Sequence, residues 1–184
     1  MTRIAPLEPP YDDRTAELLA KMMPPGVEVP PLAVFRSLAR LPELGARLAA
    51  VGGALLRRQH LPLPLSELAI LRTTARCGAE YEWGVHATWL GAAAGLDAEA
   101  LDATRAPVSE GAWSPAQAAV LHAVDALVEE ATLSDAIFAG LREHLDDDAI
   151  LELLVLVGFY HLISFVVRGA ALPPEPWAAR FDTR

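Results

Sequence analysis

A single cysteine, Cys77, excludes a disulfide within the chain and a multi-cysteine metal site, and points to a reduced, cytoplasmic protein. Positive charge is also scarce: 15 Lys and Arg stand against 24 Asp and Glu, a formal net charge of -9. That balance argues against a surface tracking nucleic-acid phosphates or anionic lipid. The opening MTRIAPLEPPYDD has no signal-peptide core. The longest apolar run, residues 153–167, is broken by Tyr160, His161 and Ser164 and falls short of the roughly 20 residues of a membrane span. It reads as a buried core helix, so no membrane partner is expected. No stretch alternates as a strand does, and no G-x-G-x-x-G, P-loop, H-E-x-x-H or nucleophile elbow occurs. Neither a cofactor nor a metal is therefore expected. Gly52-Gly53, inside a helical pattern, reads as a site of close packing.

What remains is a greasy chain of 184 residues, 53% hydrophobic and 21% charged, which excludes a disordered polymer and suits one domain. Its alanine and leucine content hints at surface buried between subunits as well as within one. Eight of the 15 prolines lie in residues 1–42, predicting a wrapping arm of short helices rather than a separate domain. Helices are expected over 12–23, closed by Pro24-Pro25-Gly26, then 32–40, 42–58, 66–77 and 80–94. Asp97 caps a short helix to 104. Ser114-Pro115-Ala116-Gln117 is a capping box opening a helix to about 131, and Ser134 caps the next. Asp146 to Asp148 open the long apolar helix, 146–170. The tail should fold Trp177 back onto the body. The fold class is all-α, one domain over 1–184, with motif helices in 60–95.

On the helix from Glu80, a step of 100° per residue lines up Glu82, Val85, His86 and Trp89, while Glu80, Gly84, Ala87 and Gly91 share the opposite face. The small residues let another backbone approach closely. A carboxylate and an imidazole at i and i+4 on an apolar face can trade a proton near neutral pH, or can simply satisfy each other. Tyr160, His161, Ser164 and Arg168 form a polar stripe on the long helix that either hydrogen-bonds within the core or lines a pocket. Glu67 points inward or stabilises its helix N-terminus. Cys77 is a reactive thiolate or a small buried hydrophobe.

Residues 66–86, with Glu67-Leu68-Ala69-Ile70-Leu71 at one end and Glu80-Tyr81-Glu82-Trp83 before His86 at the other, resemble the core of the carboxymuconolactone decarboxylase family, which includes alkylhydroperoxidase D-like proteins. The stretch 158–165 is similar to the C-terminal part of full-length members. The resemblance implies an all-helical bundle that forms homo-oligomers (dimer, trimer or hexamer), with an active site between the motif helices near a subunit interface. In the family's peroxidase branch, a glutamate matching Glu67 and a histidine matching His86 flank a C-x-x-C pair, whose positions here hold Ala79 and Glu82. Cys77 lies two residues too early and has no partner thiol.

The decarboxylase branch needs neither cysteine nor cofactor. By that likeness His86 is the proton donor, Glu82 its orienting partner or a second acid, and Glu67 a relay. Tyr81, Trp89, Tyr160, His161 and Cys77 are the pocket candidates, and Arg72, Arg76 and Arg168 could answer a substrate carboxylate. The expected function is cofactor-free acid–base chemistry, decarboxylation or isomerisation, on a small organic acid or lactone. The alternatives are a non-catalytic ligand-binding or assembly protein and, more weakly, a peroxidase working through Cys77.

Overall fold

A computed structural model describes residues 2–24 and 26–181; the part of Pro25 in closing the first helix falls outside them. Among the described residues there are nine α-helices, one 3-10 turn and no strand, so the all-α expectation holds. They are α1 (Asp13–Met22), α2 (Ala33–Leu38), α3 (Pro42–Leu56), α4 (Leu63–Arg76), α5 (Glu80–Trp89), α6 (Ala98–Ala103), α7 (Pro115–Glu130), α8 (Asp135–Arg142) and α9 (Asp147–Gly169).

The starts follow local chemistry. Asp12, Asp97, Ser134 and Asp146 each accept the backbone N–H three residues on, and Ser114 and Gln117 close a reciprocal capping box. α4 begins three residues earlier than expected, because Pro64 fits the first turn, where its missing N–H has no intrahelical acceptor anyway. α5 stops at Trp89 rather than 94: the Gly91 N–H reaches back five residues to the His86 carbonyl, and Gly95 takes a positive φ of 75°.

α4 is the axle. Residues 66–74 are all buried, and the helix packs against α5, α7 and α9. One apolar cluster joins α4, α7, α8 and α9; a second joins the arm, α5, the C-terminal half of α9 and the tail. The tail returns as expected, Trp177 stacking on Trp89 with centroids 4.8 Å apart and planes 10° from parallel. A Cβ on Gly84 would run into the Ala179 carbonyl, so the small-residue face of α5 admits the tail backbone. On α3 a Cβ at Gly52 would press on the Phe159 ring, whereas one at Gly53 meets nothing within 4 Å, so only Gly52 is closely packed.

α9 corrects one expectation. At 23 residues it is long and apolar enough to cross a membrane by length and composition alone, though 44% of its most apolar stretch is buried. Its outer face leaves Leu151, Val155, Leu162 and Phe165 exposed.

Candidate active site

Glu67 lies one turn into α4 and is fully buried, so its carboxylate needs partners to offset lost hydration. It has two. The Arg58 guanidinium donates to one oxygen, and His86 Nδ1 bonds the other at 2.8 Å. Arg58 sits just past α3 with φ at 51°, and its other donors reach Ser66 Oγ (3.0 Å) and the Leu56 carbonyl (2.6 Å). Glu67 thus fixes the ring of His86, and the far nitrogen, Nε2, lies 4.0 Å from Glu82 Oε2 on the next turn of α5. The Tyr160 ring meets that of His86 edge-on at 5.0 Å.

Glu82, His86, Arg58 and Tyr160 end on a cavity of about 630 Å³. Its remaining walls are apolar and come largely from the arm, α3 and α9, with Met22, Leu32, Phe35, Leu48, Trp89 and Phe159 prominent. Glu82 is 6% exposed and, unlike Glu67, has no hydrogen-bonding partner among the described residues beyond the distant His86. Burial pushes its carboxyl up and the Glu175 charge adds to this, while His86 opposes; the balance sits at about 7. Burial acts on Glu67 in the same sense, but His86 and Arg58 together outweigh it and hold Glu67 below the ordinary carboxylate value. For His86, burial favours the neutral ring, and the Glu67 carboxylate overrides it, raising the imidazole above its usual range. Burial, then the nearby carboxylates, keep Tyr160 a neutral phenol. Two carboxyl groups one helix apart are thus driven in opposite directions, which separates a proton-carrying group from a fixed counter-charge.

Of the sequence candidates, Glu67, Glu82, His86, Trp89 and Tyr160 converge here. The geometry reverses one pairing: Glu67, not Glu82, orients the imidazole. Tyr81 does not line the cavity, since its hydroxyl donates to Glu175 Oε1 at 2.5 Å and accepts from the Val34 N–H. His161 lies beside the exposed Phe165 ring on the outside of α9, because one residue beyond Tyr160 is a 100° turn away. Cys77 is half-buried outside the cavity, and burial pushes its thiol up. The three arginines proposed for a substrate anion are occupied elsewhere. Arg72 is buried against Asp125, two bonds of 2.7 Å, and against the Thr104 and Ala106 carbonyls. Arg76 pairs with Asp125 and Glu129, and Arg168 donates to the Cys77 carbonyl. No group of three or more metal-ligating side chains occurs among the described residues. Arg58 was missed, since its contact with Glu67 depends on a left-handed backbone that no spacing rule reveals.

Against known proteins, the model of the carboxymuconolactone decarboxylase family matches residues 42–126, the span that supplies Arg58, Glu67, Glu82 and His86. Over that span the chain resembles the carboxymuconolactone decarboxylase family. No curated protein matches it. Among solved structures it is similar to a peroxidase-related protein from Silicibacter sp. TM1040 (TM-score 0.82, 18% identity, covering 98% of this chain and 95% of that one). It is also similar to an alkylhydroperoxidase AhpD core protein from Ralstonia eutropha JMP134 (0.79, 18%, 94% and 93%). A third likeness is to the debrominase Bmp8, in a cysteine-to-alanine variant bound to 2,3,4-tribromopyrrole (0.79, 14%, 96% and 94%). At these identities the likeness is one of fold. This chain carries Glu82 where its resemblance to the peroxidase branch puts the second thiol.

Proposed function

We propose that the protein is a cofactor-free proton-transfer enzyme acting on a small molecule held in the cavity. One observation carries this reading: a buried carboxyl without a hydrogen-bonding partner among the described residues, Glu82, pushed up to about 7 and lining a 630 Å³ cavity beside an imidazole that Glu67 holds in place. A group of that kind is partly charged and partly protonated at neutral pH, the condition for both taking and returning a proton. Isomerisation suits the site better than decarboxylation, because among the described residues lining the cavity the guanidinium, that of Arg58, is already held by Glu67, Ser66 and the Leu56 carbonyl. In such a step the Glu82 carboxylate removes a proton from the carbon between a carbonyl and a double bond. The electron pair moves onto the carbonyl oxygen as a dienolate, stabilised by His86 and Tyr160 as donors, and Glu82 returns the proton to the distal carbon.

A β,γ-unsaturated γ-lactone without a carboxylate, followed by NMR in deuterium oxide, tests the reading. Isomerisation with deuterium incorporation should rise with pH through an apparent pKa near 7 and fall at least 100-fold in Glu82→Gln. Equal exchange in the variant would overturn it. Binding with no exchange would assign the non-catalytic ligand-binding reading, which the internally satisfied Arg58–Glu67–His86 network also suits. Peroxide reduction through Cys77 gains no support, since its thiol is outside the cavity and burial disfavours the thiolate. We further propose that the chain self-associates through α9, whose exposed Leu151, Val155, Leu162 and Phe165, with Gly158 between them, follow a 4-3-4-3 spacing along one face.

A further inference from the structure

We infer that the cavity takes a neutral, ring-sized apolar molecule that turns one donor hydrogen, on oxygen, nitrogen or an acidified carbon, to Glu82, rather than an organic anion. The inference rests on the proton-transfer reading of the same site and supplies its ligand class. The first argument is the disposition of positive charge. Of the basic side chains at the cavity, Arg58 is held by Glu67, Ser66 and the Leu56 carbonyl, and Lys21 sits at the surface with its ammonium 3.9 Å from Glu17. His86 gives one nitrogen to Glu67 and turns the other toward Glu82. Arg72, Arg76 and Arg168 are committed to Asp125, Glu129 and backbone carbonyls away from the cavity. An anion entering above pH 7 would leave water for an apolar chamber already holding the Glu82 carboxylate, where among the described residues no buried basic side chain is left unpaired and Lys21 stays at the exposed rim.

The second argument is what the cavity does offer. The Glu82 carboxylate is an acceptor lacking a donor, and the Tyr160 hydroxyl likewise has no hydrogen bond among the described residues. The rest of the lining includes Phe35, Phe159 and Trp89 with Met22, Leu32 and Leu48, surfaces that favour a flat apolar body. At about 630 Å³ the volume is in the range that buries most of a one- or two-ring molecule. The ligand therefore presents its donor hydrogen to Glu82 and its ring to the apolar walls.

Two probes of one ring system decide the matter: 2-naphthalenemethanol, which is neutral, and 2-naphthoate, which is anionic, titrated calorimetrically at pH 8. The alcohol is expected to bind at least tenfold more tightly than the carboxylate. In Glu82→Gln the ratio should fall below threefold, chiefly through tighter naphthoate binding, because the repelling charge is gone. Gly53→Phe, placed where an added side chain has open space beside the cavity, should abolish alcohol binding while leaving the helical circular dichroism unchanged. Naphthoate binding as tightly as the alcohol to the parent protein would overturn the inference, as would failure of both probes to bind. These readouts involve no turnover. Loss of the isomerase reading through an inactive parent protein leaves the binding preference standing, and loss of the preference leaves any measured proton exchange standing.

Discussion

Glu82 and Glu67 share a site and have opposite effects on stability. For Glu82 the folded value, about 7, lies above the ordinary 4.5, so the native state holds a proton the unfolded chain releases, and stability falls as pH rises between them. That gap corresponds to about 3 kcal/mol. Glu82→Gln should therefore match the parent near pH 4.5 and exceed it by up to about 3 kcal/mol at pH 8, read from urea unfolding at each pH; a constant offset would contradict the assignment. Glu67 has the reverse sign, its contribution being present above pH 4.5 and lost as pH falls through its lowered value. The His86 contribution is full below pH 6.5 and is lost as pH rises through its raised value. Glu67→Gln leaves Arg58 and His86 without their shared carboxylate, and at pH 7.5 should cost about 2–4 kcal/mol by the same measurement. At this scale the α5 stripe was legible, because Glu82, Val85, His86 and Trp89 follow from helical spacing alone. The arginines were not: Arg72 meets Asp125 from 53 positions away, and no local pattern shows that a charge is already engaged.

α2 is a short helix with Leu32 at its N-cap and no capping side chain of its own. Its cap arrives from the tail: Glu175 accepts the Ala33 N–H at 2.7 Å and the Tyr81 hydroxyl, which in turn accepts the Val34 N–H. Because Val34, Phe35 and Leu38 wall the cavity, the tail holds one side of the site in place. Glu175→Ala should lower stability by about 1–3 kcal/mol and speed amide exchange across 33–38. It should also move the Glu82 titration downward, since the Glu175 charge helps raise it. Unchanged protection in α2 would refute the capping role. Helix starts were the most legible part of the fold, because Asp12, Asp97, Ser114, Ser134 and Asp146 act on their own first turns. Helix ends and the α2 cap were less so, since they depend on a glycine conformation at 95 and on a carboxylate 142 positions downstream.

For the whole molecule, the exposed apolar face of α9 predicts self-association. Phe165→Glu and Leu151→Glu together should convert an oligomer to a monomer in light scattering, with the helical content unchanged. A parent protein that is monomeric at 100 μM, on the order of typical working concentrations for weak assemblies, would reject that surface as an interface. The bundle itself was readable from capping and periodicity, whereas the cavity was not, because its walls meet only when the arm closes over α5 and α9. That division has a hereditary consequence. Arg58, Glu67, Glu82 and His86 come from the span shared with the family, while Met22, Leu32, Phe35 and Phe159 come from outside it. Mutation can therefore reshape what the chamber admits without disturbing the proton-handling cluster, so lineages built on this plan are free to exchange ligands by drift in the arm and α9.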